Sequence, residues 1–144
     1  QSPSSAASDV YKRQTNSWST KHIKGDESGA HNHANAMISG VLYLQTDDDS
    51  GAILFHKDKS NFNLFTPTID VPFNNEKLNV FNTDGWAIKP KNNMLILFPS
   101  TLYHSVYPNE SDIERYVVAF NLFAFGKFGY DNVVQLGIEN KTVA

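Results

Sequence analysis

The sequence predicts an all-β fold in which short strands form a sandwich, barrel or jelly roll. Apolar runs rich in β-branched and aromatic residues recur along the chain, and clusters of Gly, Pro, Asn and Asp separate them. Ten Phe and six Tyr also favour strands over helices. At 144 residues the chain is large enough to bury one core without disulfides.

The first fourteen residues, QSPSSAASDVYKRQ, are a Ser- and Ala-rich segment without apolar periodicity. They resemble the translated read-through of a sequencing adapter, as met in metagenomic data, which would mean that the natural N-terminus is missing. We therefore expect residues 1–14 to be a non-native or disordered leader without ordered contacts. Residues 15–144 are predicted to form the single folded domain.

The first predicted strands lie on either side of an acidic turn. Residues 37–44 (MISGVLYL) are an apolar run, residues 46–51 (TDDDSG) are a turn cluster, and residues 52–55 resume as a second strand. This pattern predicts a hairpin. The three consecutive aspartates offer too few ligands at calcium-loop spacing and are assigned to the turn. Residues 56–84 are polar and Asn-rich, which predicts a long excursion with short strands inside it.

Further strands are predicted in the second half of the chain. Residues 85–89, 94–98 and 105–107 are short apolar segments, and a proline follows each of them. Residues 116–125 are the longest apolar segment, which indicates a central strand. Only residues 130–140 are compatible with a short helix.

Composition and charge exclude several functional classes. A net charge of −3 provides no basic surface for nucleic acid or an acidic membrane. No segment approaches the roughly 18 consecutive apolar residues of a membrane span. The absence of cysteine excludes thiolate metal sites and cysteine nucleophiles, and it fits a reducing compartment, so we expect a cytoplasmic protein. The expected partner is a small-molecule or peptide substrate.

A histidine pair, His31 and His33, is the most informative local pattern. Alternate residues of an extended segment point to the same side, about 6.6 Å apart along the backbone, so both imidazoles can converge on one ion. Imidazole suits iron, zinc, copper and nickel. Only five histidines occur in the chain. Two of the others, His22 and His56, are each flanked by lysine and are interpreted as structural residues at the surface.

His104 and Arg115 extend this candidate site. His104 follows a buried strand and a proline turn, where its side chain can point into the mouth of a barrel. Arg115 opens the longest apolar run, and a charge there is costly unless it is paired. Its planar fork suits a bidentate carboxylate, and we expect it inside the barrel on the strand beside His104. The alternative is a surface ion pair with Glu114 or Asp112.

Three segments, residues 17–44, 89–109 and 115–123, resemble the 2-oxoglutarate/Fe(II) oxygenases of marine bacteria and phages. The shared phrases are His-x-His ahead of Ser-Gly-Val-x-Tyr, Phe-Pro-Ser before a distal His, and Arg followed by Phe-Asn. They occur in this order within residues 16–125. The resemblance implies a double-stranded β-helix, which is a jelly roll of two facing antiparallel sheets with iron at one open end.

The resemblance also implies a role for each candidate residue. Arg115 would hold the distal carboxylate of 2-oxoglutarate, and Tyr43 and Asn121, which belong to the shared phrases, would be further cofactor-binding residues. The implied activity is that of a non-haem Fe(II) and 2-oxoglutarate-dependent dioxygenase that hydroxylates a substrate. The metal ligands of its catalytic centre would be His31, His33 and His104.

One position departs from the usual pattern of the superfamily, which has two histidines and one carboxylate. Here His33 stands in place of the carboxylate. Fe(II) with dianionic 2-oxoglutarate and three neutral imidazoles would be close to neutral, which is chemically acceptable. Three histidines with an open position are also a zinc arrangement, so both metals stay open at this point. A carbonyl oxygen of Asn35 is a further candidate ligand.

Two other functions are compatible with a jelly roll. Gly25 and the histidine pair match the start of the cupin signature, and His104 with Asn109 resembles its second half. The glutamate of that signature is absent, and Arg115 would have no role in a cupin. A catalytically silent binding module would need no metal. Metal analysis separates this module from the other two functions, and 2-oxoglutarate-dependent O₂ uptake separates oxygenase from cupin.

Overall fold

In the computed structural model, residues 11–57, 77, 83, 85–129, 132 and 134–139 are described. The all-β prediction is confirmed, because these residues contain nine strands and no helix. Accordingly, no helix that could cross a membrane is found within these ranges. In chain order the strands are β1 (Tyr11–His22), β2 (Ser28–His31), β3 (Ile38–Gln45), β4 (Ile53–His56), β5 (Gly85–Ile88), β6 (Leu95–Pro99), β7 (His104–Val106), β8 (Arg115–Phe128) and β9 (Leu136–Ile138).

The strands form two antiparallel sheets in jelly-roll order. The larger sheet has the order β1-β8-β3-β6, with β9 paired to β8, and the smaller sheet has the order β2-β7-β4-β5. Each of the first four strands pairs with one of the next four, from β1 with β8 to β4 with β5. The chain is thus one long ribbon, folded so that β8 also pairs with β3 and β7 with β4. The predicted double-stranded β-helix is confirmed.

The buried part of the protein contains many polar side chains, both in the strands and in the loops that connect them. Apolar residues such as Tyr43, Phe98 and Val117 are buried between the sheets, as the alternation of strand side chains requires. Among the described residues, however, fully buried polar side chains outnumber the apolar ones, and Arg115 is the largest of them. Buried polar groups are costly unless they are hydrogen-bonded or serve a ligand. The interior therefore directs attention to a site and not only to a core.

The predicted strands lie close to their expected positions, but the predicted hairpin is wrong. Strand β3 belongs to the larger sheet and β4 to the smaller one, so residues 46–51 carry the chain from one sheet to the other. The assignment of the aspartates to a turn is confirmed. Asp47 Oδ1 accepts hydrogen bonds from Asp49 N at 3.1 Å and from Ser50 Oγ at 2.6 Å.

Both ends of the described chain differ from expectation. Residues 11–14 pair with β8, from Tyr11 opposite Phe125 to Gln14 opposite Leu122, although we expected no ordered contacts there. Residues 1–10 lie outside the described residues, and the leader assignment stays a prediction for them. Residues 130–140 were compatible with a short helix, but residues 136–138 form β9 because β8 extends to Phe128 and offers them a partner. Most of the predicted excursion 56–84 lies outside the described residues.

Candidate metal and anion site

A cavity opens between the two sheets, and inward-facing residues of both sheets line it. Its empty volume is about 600 Å³, including the part open to solvent. Alternate residues of the two longest strands face it, because successive side chains of a strand point to opposite sides. Strand β1 contributes Trp18, Thr20 and His22, and β8 contributes Arg115, Val117 and Ala119.

His31 and His104 form a cross-strand pair in the smaller sheet. They lie opposite each other where β2 pairs with β7, and their ring centroids are 4.4 Å apart. The register of this pairing shifts between Ser28 and His31, and such a bulge changes which side chains share a face. As a result, Ser28 and His31 both line the cavity although they are three positions apart.

His33 lies two residues beyond the end of β2 and is held by the opposite side of the cavity. Its backbone N–H donates to Ser100 O at 2.9 Å, and its ring Nδ1 lies 2.9 Å from Asn121 Oδ1. Asn121 Oδ1 also accepts a hydrogen bond from Ser39 Oγ at 2.7 Å, and Ser39 Oγ lies 2.8 Å from Ser100 Oγ. This buried hydrogen-bond network fixes the position of the third ring.

The hydrogen bonds of the three rings also determine their tautomers. A carbonyl or amide oxygen only accepts, so a ring Nδ1 that faces one carries the proton, and Nε2 keeps a lone pair for a metal. Ligand atoms of the three residues lie within 4.8 Å of one another. The residues present therefore fit a divalent metal bound by three imidazoles. The oxygens that face Nδ1 are Gly29 O for His31 (2.7 Å), Asn121 Oδ1 for His33 (2.9 Å) and Leu102 O for His104 (3.0 Å).

The surroundings of His33 and His104 favour the neutral forms of these two rings. Burial lowers the pKa of His33, and the hydrogen bond to Asn121 opposes this effect only in part. Burial likewise lowers the pKa of His104, with a partly opposing contribution from its hydrogen bond to Leu102 O. A metal binds neutral imidazole, so both shifts favour the form that can act as a ligand at neutral pH.

We expect the metal-free protein to lose stability on acidification. The pKa values of His22, His33 and His104 are lowered in the folded protein. The unfolded chain therefore binds more protons than the folded one as the pH falls below the ordinary histidine value of about 6.5. This stability is fully present above that value and is lost below it. Thermal unfolding at about pH 7.5 and about pH 5.5 measures the effect, and an unchanged or higher melting temperature in acid would contradict it.

Arg115 is a buried cation in the same cavity. Its side chain is 1% exposed, and Nη1 donates hydrogen bonds to the carbonyl oxygens of Ser50 and Gly51. Its Nη2 is buried and has no hydrogen-bond partner. A buried charge in this state attracts an anion, and a guanidinium suits a carboxylate.

The structure contradicts the alternative interpretation of Arg115 as a surface residue and also its expected strand position. The surface ion pair does not form, because Glu114 instead pairs with Lys21 at 3.0 Å and Asp112 pairs with Lys24 at 2.7 Å. Arg115 also does not lie on the strand beside His104. It opens β8 of the larger sheet, whereas His104 opens β7 of the smaller sheet, because the jelly-roll order separates consecutive strands.

The acidic turn orients Arg115. The Asp47 side chain accepts hydrogen bonds from Ser50 Oγ and, through its other oxygen, from Ser111 Oγ. Gly51 adopts a φ of +79°, and a Cβ atom there would collide with the backbone oxygens of Tyr107 and Pro108. Only glycine therefore fits this corner. The result is a rigid turn that presents two carbonyl oxygens to Nη1.

The remaining candidate residues, Tyr43, Asn121 and Asn35, differ in whether they line the cavity. Tyr43 is fully buried on the cavity wall, and burial raises its pKa to about 12 while the neighbouring Arg115 opposes this shift. Asn121 lies behind His33 and is not part of the cavity lining. Asn35 is exposed in a turn with a φ of 54° and does not line the cavity either.

Trp18 and His22 were not expected in the site, although both line the cavity. His22 was expected at the surface, but it is half-buried, lines the cavity and lies opposite Arg115 in the β1–β8 pairing. Trp18 stacks on His33 with ring centroids 5.7 Å apart. The alternation of side chains along β1, with Lys21 outside and His22 inside, could have predicted the inward positions of both Trp18 and His22. His56 is half-buried and forms a 2.9 Å hydrogen bond with Ser105 Oγ, which is a structural role.

A model of the protein family described as "Putative 2OG-Fe(II) oxygenase" matches residues 16–121. The chain belongs to this family. The match covers nearly the same residues as the resemblance drawn from the three sequence segments, which is thereby confirmed at the level of the 2OG-Fe(II) oxygenase family. A search of curated proteins finds no match.

Solved structures include similar folds. An oxidoreductase of the 2OG-Fe(II) oxygenase family from Burkholderia pseudomallei is 13% identical with a TM-score of 0.59, over 81% of this chain and 47% of that one. A prolyl-4-hydroxylase from Pseudomonas putida is 17% identical (TM-score 0.47, 73% and 50%). A cupin domain from Bordetella pertussis is 14% identical (TM-score 0.44, 81% and 95%). The first likeness supports the fold alone, and the chain spans about half the length of the first two structures.

Membership of the 2OG-Fe(II) oxygenase family favours the oxygenase over the cupin alternative. The cavity agrees with this preference. A cupin has no role for Arg115, whereas here Arg115 is a buried cation in the cavity that holds the three histidines.

Proposed function

We propose that this protein is a non-haem Fe(II) and 2-oxoglutarate-dependent dioxygenase that hydroxylates a small-molecule or peptide substrate. One observation carries the proposal: a single cavity is lined by three convergent histidines and by a buried guanidinium with an unpartnered nitrogen. These features attract a metal and an anion. 2-Oxoglutarate matches both, because one end chelates a metal and the other end is a free carboxylate.

The three histidines would hold Fe(II) through their Nε2 atoms. When bound, Fe(II) supplies the oxidative decarboxylation of 2-oxoglutarate by O₂, coupled to hydroxylation of the substrate. Three protein ligands leave coordination positions open for this chemistry. Because all three are neutral, 2-oxoglutarate alone supplies the negative charge that balances the metal. The co-substrate therefore contributes more to charge balance here than it would in a site with a carboxylate ligand.

Arg115 and Tyr43 would hold the far end of 2-oxoglutarate. The unpartnered Nη2 of Arg115 donates to the distal carboxylate, which gives the buried guanidinium its counter-ion. With a pKa of about 12, Tyr43 stays protonated at neutral pH and keeps a hydroxyl donor beside Arg115. The turn that binds Nη1 restricts the guanidinium before the ligand arrives, so little side-chain freedom is lost on binding.

Apolar side chains on both sheets would reduce the amount of water around the inner part of the site. Ile53 and Val106 of the smaller sheet face Val117 and Ala119 of the larger sheet across the cavity. Phe98 packs edge-on against His104 with ring centroids 4.8 Å apart. A dry surrounding strengthens each charge-assisted hydrogen bond in the site.

Anaerobic reconstitution tests the proposal. Protein mixed with Fe(II) and 2-oxoglutarate under nitrogen should develop a visible metal-to-ligand charge-transfer band. The band should be absent with Zn(II) in place of Fe(II), or with succinate, which has no keto group. Admission of O₂ should then bleach the band and yield succinate. Absence of the band, together with no calorimetric binding of 2-oxoglutarate to Mn(II)-loaded protein, would contradict the proposal.

We expect the Asn121→Ala variant to bind metal more weakly. The substitution removes the oxygen that accepts the Nδ1–H of His33, so this ring loses both its orientation and its fixed tautomer. Loss of such a hydrogen-bond partner typically lowers metal affinity about 10- to 100-fold. Titration with Mn(II), followed by electron paramagnetic resonance, measures the change.

The matched control is Asn121→Asp, which keeps an oxygen acceptor at the same position. Its Mn(II) affinity should stay near that of the unsubstituted protein. Circular dichroism checks that both variants fold, since Asn121 also accepts a hydrogen bond from Ser39. Equal affinity in Asn121→Ala and the unsubstituted protein would show that His33 is not positioned through Asn121.

The rim of the cavity is the proposed site of substrate selection. Trp18 lines the cavity, stacks on His33 and is 39% exposed, so it offers an aromatic surface next to the metal ligands. Loops on a rigid scaffold commonly carry recognition, and we assign a further part to the excursion 56–84. We also infer a cytoplasmic location from the absence of cysteine.

A further inference from the structure

Two buried side-chain nitrogens lack a hydrogen-bond partner among the described residues, and they belong to neighbouring residues. They are Nδ1 of His22 and Nη2 of Arg115. His22 on β1 lies directly opposite Arg115 on β8, and both line the cavity. A buried polar nitrogen without a partner is costly, so two in one place indicate a ligand that brings acceptors to both.

The other contacts of His22 leave Nδ1 free for such a ligand. Its backbone oxygen accepts a hydrogen bond from Asn109 Nδ2 at 3.1 Å, which fixes the end of β1. Its ring Nε2 lies 3.3 Å from Ser28 Oγ. A hydroxyl can donate to Nε2, and the ring proton then sits on Nδ1. In this tautomer Nδ1 is a buried donor without an acceptor, on a residue that lines the cavity.

The charged groups around His22 do not satisfy this donor. Asp26 accepts a hydrogen bond from the backbone N–H of Ile23 at 3.0 Å, and its carboxylate makes no hydrogen bond to His22. Lys21 on the same strand points outward to Glu114. The remaining charged neighbour is Arg115, which repels a proton: burial and this guanidinium both lower the pKa of His22. His22 is therefore a neutral donor next to a fixed positive charge.

We propose that His22 is a second binding residue for the distal carboxylate of the oxo-acid, donating from Nδ1 to one carboxylate oxygen while Arg115 Nη2 donates to the carboxylate. This inference rests on the proposed function and adds a specificity-determining residue to it. Two donors on paired strands can hydrogen-bond to a carboxylate but not to a methyl group. The site thus selects a dicarboxylic oxo-acid over a monocarboxylic one of the same length.

Two variants of His22 isolate the role of Nδ1. In His22→Asn the amide nitrogen stands near the place of Nδ1, so the donor is kept. In His22→Gln the amide reaches towards the place of Nε2, so the contact with Ser28 is kept and the donor at Nδ1 is lost. The binding of 2-oxoglutarate to Mn(II)-loaded protein is measured by calorimetry for both variants, and so is the binding of 2-oxopentanoate, which carries a methyl group in place of the distal carboxylate.

We expect His22→Gln to bind 2-oxoglutarate about tenfold more weakly, which is the loss typical of one hydrogen bond to a charged group. His22→Asn should stay within about threefold of the unsubstituted protein. Affinity for 2-oxopentanoate should be the same in all three proteins, and so should the affinity for Mn(II). Equal 2-oxoglutarate affinity in His22→Gln and the unsubstituted protein would overturn the proposal. Equal losses for both oxo-acids, or equal losses in both variants, would also overturn it, since either would indicate a purely structural role.

A second measurement needs no substitution. In Zn(II)-loaded protein labelled with ¹⁵N-histidine, the Nδ1–H signal of His22 should become protected from solvent exchange when 2-oxoglutarate is added, and not when 2-oxopentanoate is added. Binding of 2-oxoglutarate without this protection would overturn the role of His22 alone. Failure of the metal-loaded, unsubstituted protein to bind 2-oxoglutarate would instead contradict the proposed function, so the two failures are distinguishable.

Discussion

Replacing His104 with alanine should lower the affinity for Fe(II) or Mn(II) by roughly a hundredfold or more, because one of three ligands is lost and the ligands share the whole binding free energy. His104 is 4% exposed, and its ring lies next to those of the other two proposed ligands, His31 and His33. Mn(II) titration of the variant measures the loss. No 2-oxoglutarate should bind through the metal in this variant, and O₂-dependent succinate formation should be absent.

Two further variants distinguish the loss of a metal ligand from a loss of folding. His31 is exposed, so His31→Ala leaves no void and should fold normally, yet it should weaken metal binding as His104→Ala does. His56→Ala removes a half-buried imidazole from the same sheet, but His56 bonds Ser105 and is not part of the ligand cluster. Its metal affinity should be unchanged. If His31→Ala bound Mn(II) like the unsubstituted protein, the three-histidine site would be refuted.

The Arg115→Met variant should lose at least tenfold in 2-oxoglutarate affinity while keeping its metal affinity. Each hydrogen bond to a charged group contributes about 1.5–3 kcal/mol, and methionine keeps much of the apolar stem without the charge. Calorimetry on Mn(II)-loaded protein measures the change. Lys24→Met is the matched control, because it removes an exposed cation paired with Asp112 outside the cavity, and it should leave 2-oxoglutarate affinity unaltered.

The same variant has a consequence for stability. In the ligand-free protein Arg115 is a buried charge without a counter-ion, and Met removes the desolvation cost of that charge. Ser50 O and Gly51 O lose a donor, but an unsatisfied carbonyl costs less than an uncompensated buried charge. We therefore expect the melting temperature of ligand-free Arg115→Met to stay level or rise, whereas 2-oxoglutarate should raise it less than in the unsubstituted protein. Unchanged 2-oxoglutarate affinity in this variant would show that the guanidinium serves only the fold.

Local patterns in the sequence predicted the strands well and their pairing less well. The run ending at Leu44 and the run beginning at Ala52 are both strands nearly as expected, because apolar alternation and turn residues are local signals. The turn between them, however, leads to the other sheet. Nothing in six turn residues says whether the next strand pairs with the last one, since this depends on β6, β7 and β8, which come much later in the chain.

The two ends of the described chain were harder to predict, for a related reason. Tyr11 to Gln14 are polar or charged apart from one aromatic residue, so their composition gives no strand signal. They pair because β8 is long enough to offer them backbone partners from Leu122 to Phe125. The same long strand pairs with β9, in a segment whose sequence was compatible with a short helix. Pairing with a distant strand overrode the local propensity in both places.

The candidate site could also be predicted only in part from the sequence. The spacing of His31 and His33 and the context of His104 pointed to the cluster that the structure brings together. The hydrogen-bond network from Ser100 through Ser39 to Asn121 could not be foreseen, because it joins three strands or their ends through side chains that look ordinary in sequence. His22 was predictable in principle from strand alternation, but its lysine neighbour suggested a surface position.

The pairing of His31 with His104 has a consequence for how the protein is handled. A metal between them would join β2 to β7, two segments far apart in the chain, and would act as a reversible cross-link. The unfolded chain cannot assemble the site, so metal at a hundred times its dissociation constant would protect the fold by about 2.7 kcal/mol. Chelating buffers or a metal-poor expression medium would then withdraw this protection, and the yield of intact protein would depend on the metal supply as well as on the sequence.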